Sequence, residues 1–514
     1  MSQITSRCAK ATKRLEKQDI VDTRKTALRK FLPIFGVLAL IYGCGSLLAG
    51  NLGAIAAAAI AIVGFSFIIF RNKSEILVWS LFFAILLYSL GTLKLSLRDA
   101  MLGAVVFGAL IGFANANYQQ RWSVIFFGGS LTVAFPTRIL FGLDIVGIAV
   151  LASLAWMLIE KSNSLRHRNM GERSNFFTPL MSLMLGAFAG AAILSSTDSF
   201  ISYMPWLIGI SLVTAMLALP RQNLPRVHTV RRTLLMSGAF TMLYDLVGML
   251  RGSGFTESAV NAGRFSGSLG DYELAAEYYG LIILLAVGSL LVDRTPRWVF
   301  ISILNIIAGT VLLFTTLARG PLILLCLTIP VLLLLTALSD SRSRKRAALT
   351  SSVILLAVIG FWNAITSSDV FGRLSDVDTS GRISDAINRG PLWDRFTNLD
   401  SFKQVGFLGN GFDYPYMEIG TYPHSLYLWT YWSGGLVALL SLAAIFATLF
   451  VMLLIAVIRG SRDAVWALML LAYLLADQVK IEFVRFPETI VLFWTVIAGL
   501  VVISRREDVH EEES

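Results

Sequence analysis

The residues best suited to chemistry in this 514-residue chain are one histidine and a scattered set of arginines. His424 closes a stretch, 367–424, that has no apolar run long enough to be a span. It belongs to Tyr422-Pro-His-Ser425, and the same stretch carries Arg373, Arg382, Arg389 and Arg395. Imidazole is the side chain best matched to general-base work near neutral pH. Arginine stays charged in any surroundings and grips phosphates through paired, charge-assisted hydrogen bonds. One base and several fixed cations suit the attack of a hydroxyl with a diphosphate as leaving group.

Two further arginines sit on short turns between apolar runs. Arg319 lies in Thr316-Leu-Ala-Arg-Gly-Pro321, a very tight connection with no acidic neighbour in sequence. A guanidinium there must snorkel, pair or bind an anion, and the adjacent glycine leaves backbone donors open. Arg264, in Gly263-Arg-Phe-Ser-Gly267, and Arg382, in Ser380-Gly-Arg382, are flanked by Gly and Ser, where a solvated loop charge is the plain alternative. Asp376-Val-Asp378 has the look of a metal-holding carboxylate pair, but such triplets are common in loops. No His/Cys/Asp grouping has metal-ligand spacing, no glycine-rich loop with Lys reads as a nucleotide site, and no Gly-x-Ser-x-Gly elbow occurs. Neither a metal nor a cofactor is expected.

The elements that must position these groups are membrane spans. The chain is 56% hydrophobic and 15% charged, with a mean hydropathy of +0.70, and apolar runs of span length recur along it. The expected fold is all-α, a polytopic transmembrane helical bundle of about 14–16 spans with one large loop. The last eight spans are expected near 233–250, 274–292, 298–317, 321–338, 349–366, 432–458, 463–477 and 486–504. A basic tail, 1–30, precedes a bundle over 31–366. The loop 367–424, the spans of 425–504 and an acidic tail, 505–514, follow.

Charge predicts the sidedness. The first thirty residues hold nine Lys and Arg without an apolar core, which is no cleavable signal but suits a cytoplasmic tail lying on anionic lipid headgroups. With that tail inside, 30 of the 43 Lys and Arg fall on the cytoplasmic face, and the loop 367–424 falls outside, in the periplasm. His167 and His228 then lie in cytoplasmic loops and His510 in the acidic tail, which leaves His424 as the outer histidine. The net charge of +10 follows membrane topology, so no nucleic-acid partner is expected. Three cysteines make no disulfide framework. Ionisable residues inside the apolar runs are few (Asp245, Glu277, Asp477). Glu277 is expected near the Arg264 loop, whereas a transporter would bury several such groups near the midplane.

Several short motifs, taken in order, carry a resemblance. Gly263-Arg264-Phe265-Ser266-Gly267 before Leu274-Ala275, Thr316-Leu317-Ala318-Arg319-Gly320 and Ser380-Gly381-Arg382 come first. Leu408-Gly409-Asn410-Gly411-Phe412, His424-Ser425-Leu426-Tyr427-Leu428 and Gly434-Gly435-Leu436 follow. Together they resemble the bacterial O-antigen ligase and O-antigen or exopolysaccharide polymerase family, over roughly residues 230–440. The chain departs from the family pattern at Ala318, often Ser, and at Ser425, often Asn, which leaves the partner orienting the imidazole open.

The resemblance implies a metal-independent, inverting, GT-C-like glycosyltransferase on the outer face of the inner membrane, active in lipopolysaccharide or exopolysaccharide biosynthesis. The donor would be a glycan on undecaprenyl diphosphate. The acceptor would be a lipid-linked repeat unit for a polymerase or the lipid A-core for a ligase. Membrane lipid, a flippase and a chain-length regulator are the other partners it implies. His424 would be the base; Arg319 and Arg382, with Arg264 and Arg373, would hold the diphosphate. A lipid-linked sugar transporter or flippase is the alternative.

Overall fold

A computed structural model describes residues 118–134, 186, 197–219, 221–256, 263–339, 341–360, 396, 405, 407, 409–412 and 423–506. Two compact units divide the chain, Met1–Ile111 and Gly112–Ser514, and every described residue belongs to the second. The tail 1–30, the first expected spans, most of the loop 367–424 and the tail from 507 onward lie outside the described residues. So do Arg373, Arg382, Asp376, Asp378, His167 and His510.

The described residues form an all-α bundle. Its helices are α1 (Tyr118–Leu131), α2 (Thr197–Ala218), α3 (Val227–Leu250), α4 (Tyr272–Val292) and α5 (Pro296–Thr315), then α6 (Arg319–Ser339), α7 (Ser341–Gly360), α8 (Leu426–Ile458), α9 (Arg462–Asp477) and α10 (Pro487–Arg505). Among the described residues there is no strand, only an isolated antiparallel bridge between Phe255 and Phe265. Six of these helices, α3 to α6, α8 and α10, are long and apolar enough to cross a membrane. Each expected span from 233 onward coincides with a helix.

Two helices form the axes of the bundle. α4 and α10 are apolar all round and buried along nearly their whole length, as such helices must be. α3, α5, α6, α7 and α9 surround α4; α1, α2, α3, α8 and α9 pack on α10. Glycines admit the closest crossings: a Cβ on Gly288 of α4 would lie 2.7 Å from Trp466 of α9, and one on Gly309 of α5 would lie 2.8 Å from Ile283 of α4. Outward, α5 exposes Phe300, Leu304 and Ile307, and α6 exposes Ile323, Leu327, Val331, Leu334 and Leu338. Unbroken apolar stripes at helical spacing need an apolar solvent, so this is a membrane-embedded protein.

The chain alternates between two ends of the bundle. One end gathers the N-termini of α3, α5 and α9 and the C-termini of α4 and α10. Here Arg231, 3% exposed, joins Asp293 at 3.0 Å and Asp463, while Arg232 grips Asp293 by two bonds of 2.7 and 3.0 Å. Burial by itself would raise the Asp293 carboxyl, but the hydrogen bonds and charge of Arg232 and Arg231 outweigh it and hold the group at about 2. Arg346 donates to the last carbonyls of α4, Leu291 at 3.1 Å and Val292 at 3.0 Å. Arg505 donates to the Met216 and Leu217 carbonyls of α2. These cations cap helix C-termini, where the macrodipole favours them.

α8 departs from the expected span of 432–458. It starts at Leu426 and runs for 33 residues, on the order of 50 Å and too long for one crossing. Gly435, at φ 72° and ψ −171°, breaks it into a short N-terminal piece and a span-length remainder.

Candidate functional site

The other end of the bundle carries His424, Arg264 and Arg319. Each sits on a turn whose backbone is tied to a neighbouring helix. The Arg264 turn is plugged by Phe265, fully buried against Phe255, and the Phe265 N–H donates to the Thr315 carbonyl at the end of α5 (3.0 Å). Asp245 of α3 holds the rest of the turn. Its carboxylate accepts from the Ser268 N–H at 2.8 Å and from the Tyr279 hydroxyl at 2.8 Å. That bond to Thr315 sets the Arg264 turn beside the Thr316–Ala318 turn leading to Arg319.

Arg319 opens α6, and Pro321, which lacks an N–H, falls in the first helical turn where none is needed. Leu317, two residues earlier, has φ 56°, a left-handed backbone uncommon for leucine. Lys480, just beyond α9, lies across Gly320, with Nζ in the space a side chain there would occupy. A second cation thus stands beside the start of α6.

His424 is the other described non-glycine residue with positive φ, at 49°. The turn is pinned immediately afterwards, where the Leu426 N–H donates to the Gln478 carbonyl at 3.0 Å and the Trp429 N–H to the Ser425 carbonyl at 2.8 Å. Two left-handed residues on the turns bearing Arg319 and His424 store roughly 1–3 kcal/mol each, a pattern that accompanies functional sites. The Nδ1 of His424 faces Oε2 of Glu273 at 3.9 Å. Glu273 is in the first turn of α4, where Asp271 caps the helix by accepting from the Glu273 and Leu274 amides at 2.9 and 3.2 Å. Arg264 lays its guanidinium over the Tyr272 ring, 4.4 Å from the centroid.

Beneath this surface lie two fully buried carboxylates, Glu277 of α4 and Asp477 of α9. Glu277 accepts from the Gln478 amide through one oxygen, while its Oε2 and both Asp477 oxygens have no hydrogen-bond partner. Lys480 is within electrostatic range of both, and Glu273 within range of Asp477. The carboxylate bonded to the Arg264 loop is Asp245, while Glu277 bonds to Gln478 at the end of α9.

The break in α8 completes the site. The Trp432 and Ser433 carbonyls, beyond which a continuous helix would stop short at Gly435, accept from the Asn410 and Gly411 amides at 3.0 and 3.1 Å. The Val437 N–H donates to the Phe407 carbonyl at 3.2 Å. Gly409 and Gly435 meet so closely that neither has room for a Cβ. Residues 409–412 and the Gly434–Leu436 motif, distant in sequence, are therefore one structural unit. Phe412 stacks on Trp429, and Trp429 on Trp206 of α2 (5.7 and 5.5 Å between centroids), fastening the loop to the bundle. Non-helical backbone at this depth is tolerated where protein covers it or where it lines a cavity.

Of the sequence-predicted site residues, His424, Arg319 and Arg264 share one end of the bundle, while Arg373 and Arg382 lie outside the described residues. Sequence reasoning missed Glu273 and Lys480. Glu273 sits one position before the Leu274-Ala275 pair of a quoted motif, and Lys480 is among the few basic residues on the minority face, so both left a signal. Among the described residues no group of three His, Cys, Asp or Glu is arranged to hold a metal. No family model matches the chain, and no curated protein does.

Proposed function

We propose that this membrane protein is a glycan transferase, metal-independent and inverting, working on the outer face of the inner membrane with both termini cytoplasmic. It moves an undecaprenyl-diphosphate-linked glycan onto a sugar hydroxyl, as an O-antigen or exopolysaccharide polymerase. His424 takes the hydroxyl proton as the acceptor oxygen bonds to the anomeric carbon. The bond from that carbon to the phosphate oxygen breaks, and its electron pair leaves on the diphosphate. Arg319 and Lys480, with Arg264, Arg373 and Arg382, hold that diphosphate and offset its growing charge. No nucleotide is available outside the cell, so the donor must arrive already activated on its lipid.

The observation that carries the reading is the meeting, at one end of the bundle, of a base held on a strained turn with Arg319 and Lys480 at the start of α6. Purified protein given lipid-linked glycan and acceptor should release undecaprenyl diphosphate in the presence of a chelator. His424→Ala should abolish release while leaving the protein folded, and near-parental activity in that variant overturns the assignment. In cells, single repeat units on an intact acceptor after deletion mark a polymerase, whereas polymer accumulating on the lipid carrier marks a ligase acting on the lipid A-core. A lipid-linked sugar flippase draws on a different observation, the buried Glu277–Asp477 pair. It predicts translocation of donor without release of diphosphate.

A further inference from the structure

We infer that Glu273 is the positioning residue of His424. In this dyad the carboxylate engages Nδ1 of the imidazole and favours the imidazolium that forms when a proton is taken up. Three observations carry it. Glu273 Oε2 faces Nδ1, 3.9 Å away, so the carboxylate addresses one particular ring nitrogen. Both side chains are only 22% exposed, so the pair is partly shielded from water. Each partner is also held by its backbone: Glu273 in the capped first turn of α4, His424 on a left-handed turn fastened to Gln478. A separation of 3.9 Å exceeds a hydrogen bond, but the charge acts across it, and catalytic contacts commonly tighten when substrate binds. Residue 425, the in-sequence candidate for orienting the imidazole, is a buried serine, whereas Glu273 reaches the ring from another helix.

Other charges face the same space. Arg264 stands on the turn before α4, Arg319 at the start of α6, Glu277 on α4, and Asp477, Lys480 and Glu482 at and beyond the end of α9. Glu273 is the carboxylate paired with the ring itself, so removing its charge should move the histidine's titration most. The glycan-transfer reading enters only in what the imidazole does next.

The test reads His424 directly. The rate at which diethyl pyrocarbonate modifies His424 in the full-length protein in detergent is followed against pH by peptide mass spectrometry, with His228 at the far end as internal reference. Glu273→Gln should lower the His424 midpoint by about one pH unit, the effect of a unit charge near 4 Å in a partly shielded site. Glu273→Asp, which draws the charge back by one methylene, should shift it the same way by less and decides the question if the neutral variant does not fold. In the transfer assay, the acid limb of the pH–rate profile should move with that midpoint, and kcat should fall more than KM changes. An unmoved His424 midpoint in both variants overturns the dyad. A moved midpoint in a protein that transfers no glycan leaves the dyad standing and removes the glycan-transferase reading instead.

Discussion

Replacing Gly435 with alanine tests whether the broken helix is held open by the segment 407–411. The residue sits at φ 72° and ψ −171°, a region in effect reserved for glycine, and an L side chain there costs roughly 1–3 kcal/mol. The new Cβ would also come within 3.0 Å of the Phe407 carbonyl oxygen and the Gly409 nitrogen, neither of which belongs to a flexible side chain. The segment must back away, weakening three backbone hydrogen bonds of 3.0, 3.1 and 3.2 Å, each worth about 1 kcal/mol net. The sum is about 4–6 kcal/mol. Gly460→Ala is the control: its φ is 89°, but no atom lies within 4 Å, so only the backbone cost of about 1 kcal/mol applies. Thermal unfolding in detergent compares the two, and limited proteolysis within 405–412 should quicken in Gly435→Ala alone. Equal losses in the two variants would refute the reasoning, since the backbone term would then account for everything.

Three other perturbations follow from the same contacts. Arg231→Ala should destabilise by about 3–5 kcal/mol, because it strips the buried Asp293 and Asp463 of a shared cation, whereas the more exposed Arg232 should cost about 1 kcal/mol; chemical or thermal unfolding ranks them. Asp293, held at about 2 against an ordinary 3.8, contributes about 2 kcal/mol that is fully present above pH 4 and is lost as pH falls through 2; in Asp293→Asn that acid-dependent loss should disappear from the unfolding curve. Lys480→Met should lower kcat/KM for glycan transfer about 10- to 100-fold, the worth of one charge-assisted contact to phosphate, and Gly320→Ala, which intrudes on Nζ, should reproduce part of that loss.

Much of this end of the fold was legible because membrane spans are legible. A lipid-facing or fully buried helix must be apolar for its whole length, and from residue 233 onward the apolar runs and the helices agree to within a few residues except at three starts. α3 begins at Val227, α7 begins in the basic run at Ser341, and α8 begins at Leu426. Hydropathy responds to where a chain enters lipid, not to where its helix starts, so a polar or aromatic N-terminal turn escapes it. The break at Gly435 was not legible as a break, since Gly434-Gly435 also fits close helix packing. What identifies it is the distant Phe407–Gly411 segment, and pairings across that separation leave no periodicity to read. The site followed the same rule. His424, Arg264 and Arg319 stood out because charge is rare in that part of the sequence, while Glu273 was passed over, since a helix N-terminus favours a first-turn acid anyway.

The proposed anionic ligand draws on how the cations are distributed between the two ends more than on their number. At the Arg231 end, Arg346, Arg505 and Arg506 donate to carbonyls, those of Arg346 and Arg505 at helix C-termini, and Arg231 and Arg232 bind carboxylates. Every one of these lowers the folding free energy without a ligand. At the His424 end, Arg319 is the first residue of α6 and Lys480 lies against the second, facing the positive pole of that helix dipole. The helix dipole by itself disfavours both cations there. The backbone beside them is also strained at Leu317, although Lys480 lies within electrostatic range of the buried Glu277 and Asp477. On the proposed reading, a diphosphate at the membrane surface would add its own charge to this balance, beside a base 3.9 Å from its carboxylate.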